Sequence, residues 1–194
     1  MSGEKGGVQA IIKETYTNAH FVHCYAHQLN LVMQKASSQN TQGRIFFSSL
    51  SGIPAFFSRS PQRLSVLDNI TRRIPRPSST RWNFNSRVVN TVFENKDALI
   101  ECFKVLQTVN SHQTVDAATG LLRMLNDDDF QFWLSFFHRI MPHVDILYDQ
   151  MQNRNANSST VHTALQSFND VIMKIRNELT PDINELQEEP NSKK

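Results

Sequence analysis

The run His20-Phe-Val-His-Cys24-Tyr-Ala-His27-Gln-Leu-Asn-Leu-Val-Met-Gln-Lys35 decides how the rest of the chain is read. Its first half favours a strand: Phe21, Val22, Cys24 and Tyr25 are β-favouring residues with no Gly or Pro among them. Its second half favours a helix, because Leu29, Val32 and Met33 recur at the spacing of one buried face. A strand that runs straight into a helix gathers polar side chains at its C-terminal edge, where α/β sites usually sit. Cys24 and His27 fall at that junction, and a turn through Tyr25 and Ala26 brings both within reach of one point. Two plainer readings stand beside a shared site. Half a zinc centre needs two further ligands, and the other cysteine, Cys102, is alone in a helical pattern. Alternatively, Cys24 is a buried core thiol beside a surface histidine.

The 194 residues, 39% hydrophobic and including 13 Phe, suffice for one well-packed domain or two incomplete ones. No apolar run approaches the roughly 18 residues of a membrane span, so no membrane partner is expected. The opening Met-Ser-Gly-Glu-Lys-Gly-Gly has no apolar signal-peptide core. Two cysteines in unlike settings favour a reducing compartment over a disulfide framework. The formal charge of +2 conceals an uneven distribution. Residues 44–87 carry eight arginines (44, 59, 63, 72, 73, 76, 81 and 87) against Asp68 alone, a net of +7. Residues 88–194 carry nine basic and fifteen acidic residues, a net of −6.

In chain order, Val8, Ile11 and Ile12 make a short helical pattern, and 37–43 is a polar break. Residues 44–57 read as a helix that Pro54 should kink or interrupt. Ser60 and Pro61 are good N-cap and first-turn residues for a second helix, reaching to about Arg72. Ile74-Pro75-Arg76-Pro77 is a stiff extended segment. From Thr80, one long helical region shows apolar faces through Val88, Val89 and Val92 and then Leu99, Phe103 and Leu106. A short helix is expected over 115–125. Asn126 is expected to cap the clearest helix, with Asp127, Asp128 and Asp129 in its first turn. That helix's stripe runs Phe130, Trp133, Leu134, Phe137, Ile140, Met141, Val144, Leu147 and Tyr148, and Pro142 should bend it. The final helix, about 159–179, is expected to stop at Pro181 before a disordered tail.

Three motifs then align in order: His23-Cys24-Tyr25-Ala26-His27-Gln28-Leu29-Asn30-Leu31-Val32, Phe56-Phe57-Ser58-Arg59-Ser60 with Arg63, and Thr80-Arg81-Trp82. Together they resemble hAT-superfamily transposases, most of all the vertebrate transposase-derived proteins of the zinc-finger MYM-type kind. The similarity runs over most of the chain. It implies a mostly α chain: a partial RNase H-like α/β remnant over 1–43, a helical insertion-type domain over 44–180, and a disordered tail over 181–194. It also implies nuclear localisation. Met1 coincides with an internal methionine of the family, which places the chain's start just past an Asp-Gly-Ala segment bearing a catalytic Asp.

Strand cleavage in that family needs three carboxylates around two divalent metals. By resemblance, two lie before Met1 and one beyond Lys194, so no catalytic residue, metal or cofactor is assigned and no enzyme activity is expected. Asp127–Asp129 suit a helix N-terminus better than a metal centre, and Cys24 lacks an identifiable base with an orienting partner. What remains is a surface for weak DNA binding. The resemblance maps a position near the scissile phosphate onto Cys24 and His27, and a base-flipping pair onto Arg81 and Trp82. An indole offers a face for an unpaired base, and Arg forks onto phosphate; Trp82 packing as a core residue is the alternative. Arg59, Arg63, Arg72, Arg73 and Arg76 are candidate phosphate contacts, or else a solvated helix face. A rival reading is a helical module that binds a protein partner or self-associates, and another is one exon of an intact cleaving transposase.

Overall fold

Helix α8, Asp128–Gln152, carries the most regular apolar stripe in the sequence and is the element most others pack on. Phe130, Leu134, Phe137, Met141, Val144, Leu147 and Met151 are all buried along it. The computed structural model describes residues 6–20, 24–75, 82–109, 111–153, 155 and 157–188, the side chains of 82–84 and 180–188 excepted. The chain is mostly helical, with nine helices and no strand among the described residues. Before α8 come α1 (Val8–Thr15), α2 (Tyr25–Gln39), α3 (Thr41–Ser58), α4 (Pro61–Ile70), α5 (Trp82–Glu94), α6 (Lys96–Leu106) and α7 (His112–Leu125); α9 (Ser158–Glu188) follows it.

The main core joins α3 to α8. Phe46, Leu50, Ile53 and Phe57 of α3 share one buried cluster with Leu67, Val88, Val92, Leu99, Phe103, Leu106, Phe130, Leu134 and Phe137. Each such side chain, fully buried, contributes roughly 1.5–3 kcal/mol. The rings add directional contacts: Phe46 stacks on Phe137 at 5.2 Å, and Phe57 on Phe103 at 5.5 Å. Aromatic pairs of this kind add about 0.5–1.5 kcal/mol beyond their area. A smaller cluster ties α2 to the end of α8 and the start of α9 through Ala26, Leu29, Leu147, Met151, Val161 and Ala164. Buried Asn30 of α2 donates to the Tyr148 hydroxyl across the same contact.

Several expectations need correction. The strand expected at Phe21–Tyr25 fails where it can be seen: Cys24 is the N-cap of α2 and Tyr25 is already helical, while 21–23 lie outside the described residues. A strand without a partner is unstable in water, whereas helical Tyr25–Gln39 buries Ala26 and Leu29 against α8 and α9. Cys24 is exposed and so is not the core thiol of the plainer reading. The polar break expected over 37–43 is helical on both sides of Asn40, where α2 ends and which caps α3 from Thr41. Buried Gly43 sits there because a Cβ would stand 3.2 Å from the Ser37 carbonyl oxygen of α2.

Pro54 interrupts nothing; α3 continues through it to Ser58. The long region expected from Thr80 breaks at Asn95, whose amide returns to the Thr91 carbonyl and whose Oδ1 accepts from Thr71. An Asn side chain competes with the helical ladder in this way. Helix α7 starts at His112 because Ser111 accepts from the Thr114 amide. Asn126 closes α7 by donating to the Leu122 carbonyl, and Asp127, one residue on, caps α8 by accepting from the Phe130 amide at 2.9 Å. With no loop between α7 and α8, neighbouring residues serve the two ends. Pro181 does not stop α9, which runs on to Glu188; 189–194, the rest of the tail expected to be disordered, lie outside the described residues. A mid-helix Pro costs about 3 kcal/mol rather than forbidding continuation.

Candidate nucleic-acid interface

Among the described residues, the arginines of 44–87 are mostly exposed, but several are engaged with other side chains rather than free. Arg72, after α4, pairs with Glu94 at the end of α5, linking the basic stretch to the acidic half. Both side chains are largely exposed, at 61% and 52%. Arg73 forks onto Asp68: Nε donates to Oδ1 at 2.9 Å and Nη2 to Oδ2 at 2.7 Å. That hydrogen bond, with the charge behind it, holds the Asp68 carboxyl below its ordinary value and raises the Arg73 guanidinium above its own. Arg63 is half-buried, and its guanidinium holds Thr114 of α7 and the Phe56 carbonyl of α3. Arg44 and Arg59 are exposed on α3 and at its C-cap, with no ion pair among the described residues. Arg76 and Arg81 lie outside the described residues. Trp82 opens α5, but its side chain is outside them too.

Cys24 and His27 are exposed one turn apart at the start of α2. Cys102 does not join them: it is fully buried in α6, and burial pushes its thiol up to about 11. Such a thiol is inert at neutral pH. Among the described residues no group of three His, Cys, Asp or Glu is placed to hold a metal, and Asp127 caps α8 while Asp128 and Asp129 occupy its first turn.

Sequence reasoning passed over a buried polar pair in the α5–α8 contact. Ser86 Oγ donates to Asp145 Oδ2 at 2.6 Å. Asp145 Oδ1 and Asn90 Oδ1 are buried with no donor among the described residues. Burial raises the Asp145 carboxyl above its ordinary value, the Ser86 bond opposes this, Asp149 adds to it and Arg87 offsets part. A signal was present. Asp145 follows Met141 by four and precedes Tyr148 by three, which is a core-facing position.

No family model matches the chain, and no solved structure matches it.

Proposed function

We propose that the chain is a hAT-type, transposase-derived helical module that contacts DNA or serves assembly and has no cleavage activity of its own. In this reading residues 1–43 correspond to the end of an RNase H-like core, 44–180 to its helical insertion, and the site of action is the nucleus. The observation that supports it most is the arginine placement. Arg44, Arg59, Arg72 and Arg73 are exposed along α3, its C-cap and the chain after α4. Two of these are engaged with acids in solvent-exposed pairs, and such pairs are weak enough for a phosphate to displace the carboxylate. Cys24 and His27 add polar groups at the start of α2, and Arg81 with Trp82 supplies the stacking pair.

Binding should be weak, indifferent to sequence and steeply reduced by salt, because each phosphate contact releases condensed counterions. Fluorescence anisotropy across a salt series measures this. Replacing Arg72 and Arg73 by Ala should flatten the slope by about one unit per lost contact. Trp82→Ala should spare intact duplex yet weaken hairpin or single-stranded DNA by about 1–3 kcal/mol. The same DNA held with Mg²⁺ should stay uncut. Binding that ignores salt would remove the nucleic-acid reading, and specific nicking would restore the enzyme.

A second reading, assembly through helical faces, has its own support. Val8, Ile11 and Ile12 of α1 and Leu31 and Val32 of α2 are exposed apolar residues. Their burial in a complex would be favourable at about 25 cal/mol per Å².

A further inference from the structure

One group, where α4 meets α7, gathers hydrogen-bond acceptors around a cation that no acid neutralises among the described residues. Arg63 Nε and Nη2 donate to Thr114 Oγ1 at 3.3 and 2.9 Å, and Nη1 donates to the Phe56 carbonyl at 3.4 Å. The guanidinium carbon also lies 4.4 Å from the centroid of the Phe56 ring. All these partners are neutral. Arg72, Arg73 and Arg139 each pair with a carboxylate, while among the described residues Arg63 pairs with none.

The donor sequence continues outward. Thr114, buried and already accepting from Arg63, donates to Ser111 Oγ at 3.1 Å. Ser111 Oγ also accepts from the Thr114 amide at 3.4 Å, so both bonds use it as an acceptor and its own O–H remains to donate. Each donor in such a chain polarises the next. A cavity of about 370 Å³ lies beside it, with Gln62, Arg63, Ser111 and Thr114 as its polar lining and Val66 and Leu106 as apolar wall. A guanidinium has five N–H groups, and three are turned on Thr114 and Phe56, which leaves one on each terminal nitrogen.

We propose that this cavity is an oxyanion site that takes a phosphate group, the two terminal N–H groups of Arg63 meeting two oxygens and the Ser111 hydroxyl a third. Guanidinium geometry matches such paired oxygens. Insofar as the phosphate is one of the DNA backbone, the site rests on the DNA-contacting reading above and assigns Arg63, rather than the acid-paired Arg72 and Arg73, as the contact that holds a defined phosphate. The shared chemistry is the tetrahedral oxyanion, whether free or within a strand.

The test titrates the full chain with inorganic phosphate, against chloride at matched ionic strength, and follows the Arg63 Nε, Ser111 and Thr114 NMR signals. Saturable shifts confined to these residues are expected. Gln62→Glu, at an exposed lining position, sets a carboxylate beside the guanidinium and should weaken phosphate at least about tenfold, with thermal melting unchanged. Arg63→Lys keeps the charge without the fork and should fall between the two. No saturable shift in the wild type, or wild-type affinity in Gln62→Glu, overturns the site. A single-stranded oligonucleotide that competes with phosphate, and binds Gln62→Glu more weakly, identifies the backbone as the source. Phosphate binding lost in Gln62→Glu with oligonucleotide binding unchanged identifies free phosphate. Salt-dependent DNA binding without any phosphate response overturns the Arg63 site and leaves the DNA reading standing on the exposed arginines.

Discussion

Helices α1 and α5 are written in the same pattern and meet opposite fates. In α1, Val8, Ile11 and Ile12 recur at helical spacing, yet they are 53%, 59% and 45% exposed and no residue of the helix is buried. In α5, Val88, Val89 and Val92 likewise fall on one helical face, at i, i+1 and i+4, and each is at 0%. The difference lies in neighbours. Helix α5 packs along α8 and touches α2 and α6, whereas α1 makes no extensive contact with another described helix. Hydrophobic periodicity specifies that a segment is helical and which face is apolar. Whether that face is buried depends on what lies opposite, and no single segment carries that information.

The sharpest way to break the comparison is a charge on each stripe. Val92→Asp puts a carboxylate into a fully buried position among Leu99 and Phe103's cluster. An unpaired buried charge costs several kcal/mol, comparable with the whole stability of a typical domain, about 5–15 kcal/mol. The expected outcome is loss of the cooperative thermal transition by circular dichroism. A variant that still melts cooperatively near the wild-type temperature would mean that α5 packs as loosely as α1.

The same contrast shows how far the sequence could be read. Most of the stripe of α8 was legible: Phe130, Leu134, Phe137, Met141, Val144 and Leu147 are buried, while Trp133, Ile140 and Tyr148 are half-buried. Ser60 with Pro61 marked the start of α4 correctly. Errors came where local propensity met a distant partner. Tyr25 has β propensity, but α2 offers Ala26 and Leu29 to Leu147 and Val161, more than a hundred residues away. The candidate site was legible as a list of arginines and illegible as an arrangement. Nothing near Arg63 in the sequence announces Thr114, 51 positions on, and nothing near Arg72 announces Glu94. Charge counted along the chain as +7 against −6 therefore overstates the separation in space, because Arg72 and Glu94 bridge the two halves.

A smaller effect is expected inside the α5–α8 contact. Asp145 has its folded value raised by burial, so the folded state holds a proton that the unfolded chain has already released. The protonated form's advantage is complete below the unfolded value of about 3.9. It is lost as pH rises through the higher folded value, and above it the carboxylate is a cost. Asp145→Asn removes that titration. Relative to wild type it should gain stability as pH rises above about 4 and level off once Asp145 is ionised in the folded chain, by up to about 1 kcal/mol, the scale of one buried polar interaction. Urea melts of both proteins at each pH measure the difference, in which the other acids cancel. A difference that is flat with pH, or that falls as pH rises, would mean the carboxyl is not raised in the folded chain.

The least effect is expected in α1, and it completes the comparison. Ile11→Asp charges a stripe that faces solvent rather than a core, so it should change stability by no more than about 0.5 kcal/mol, as surface substitutions usually do. The folded monomer would then tolerate at Ile11 the charge that Val92 cannot accept. Sedimentation velocity on the same variant adds a second reading. If α1 is covered in an assembly, the wild type should associate with rising concentration and Ile11→Asp should not, because a charge at the centre of the stripe opposes its desolvation. A loss of more than about 1 kcal/mol in the monomer would show that α1 has a seat within its own chain, and the contrast with α5 would then be one of degree.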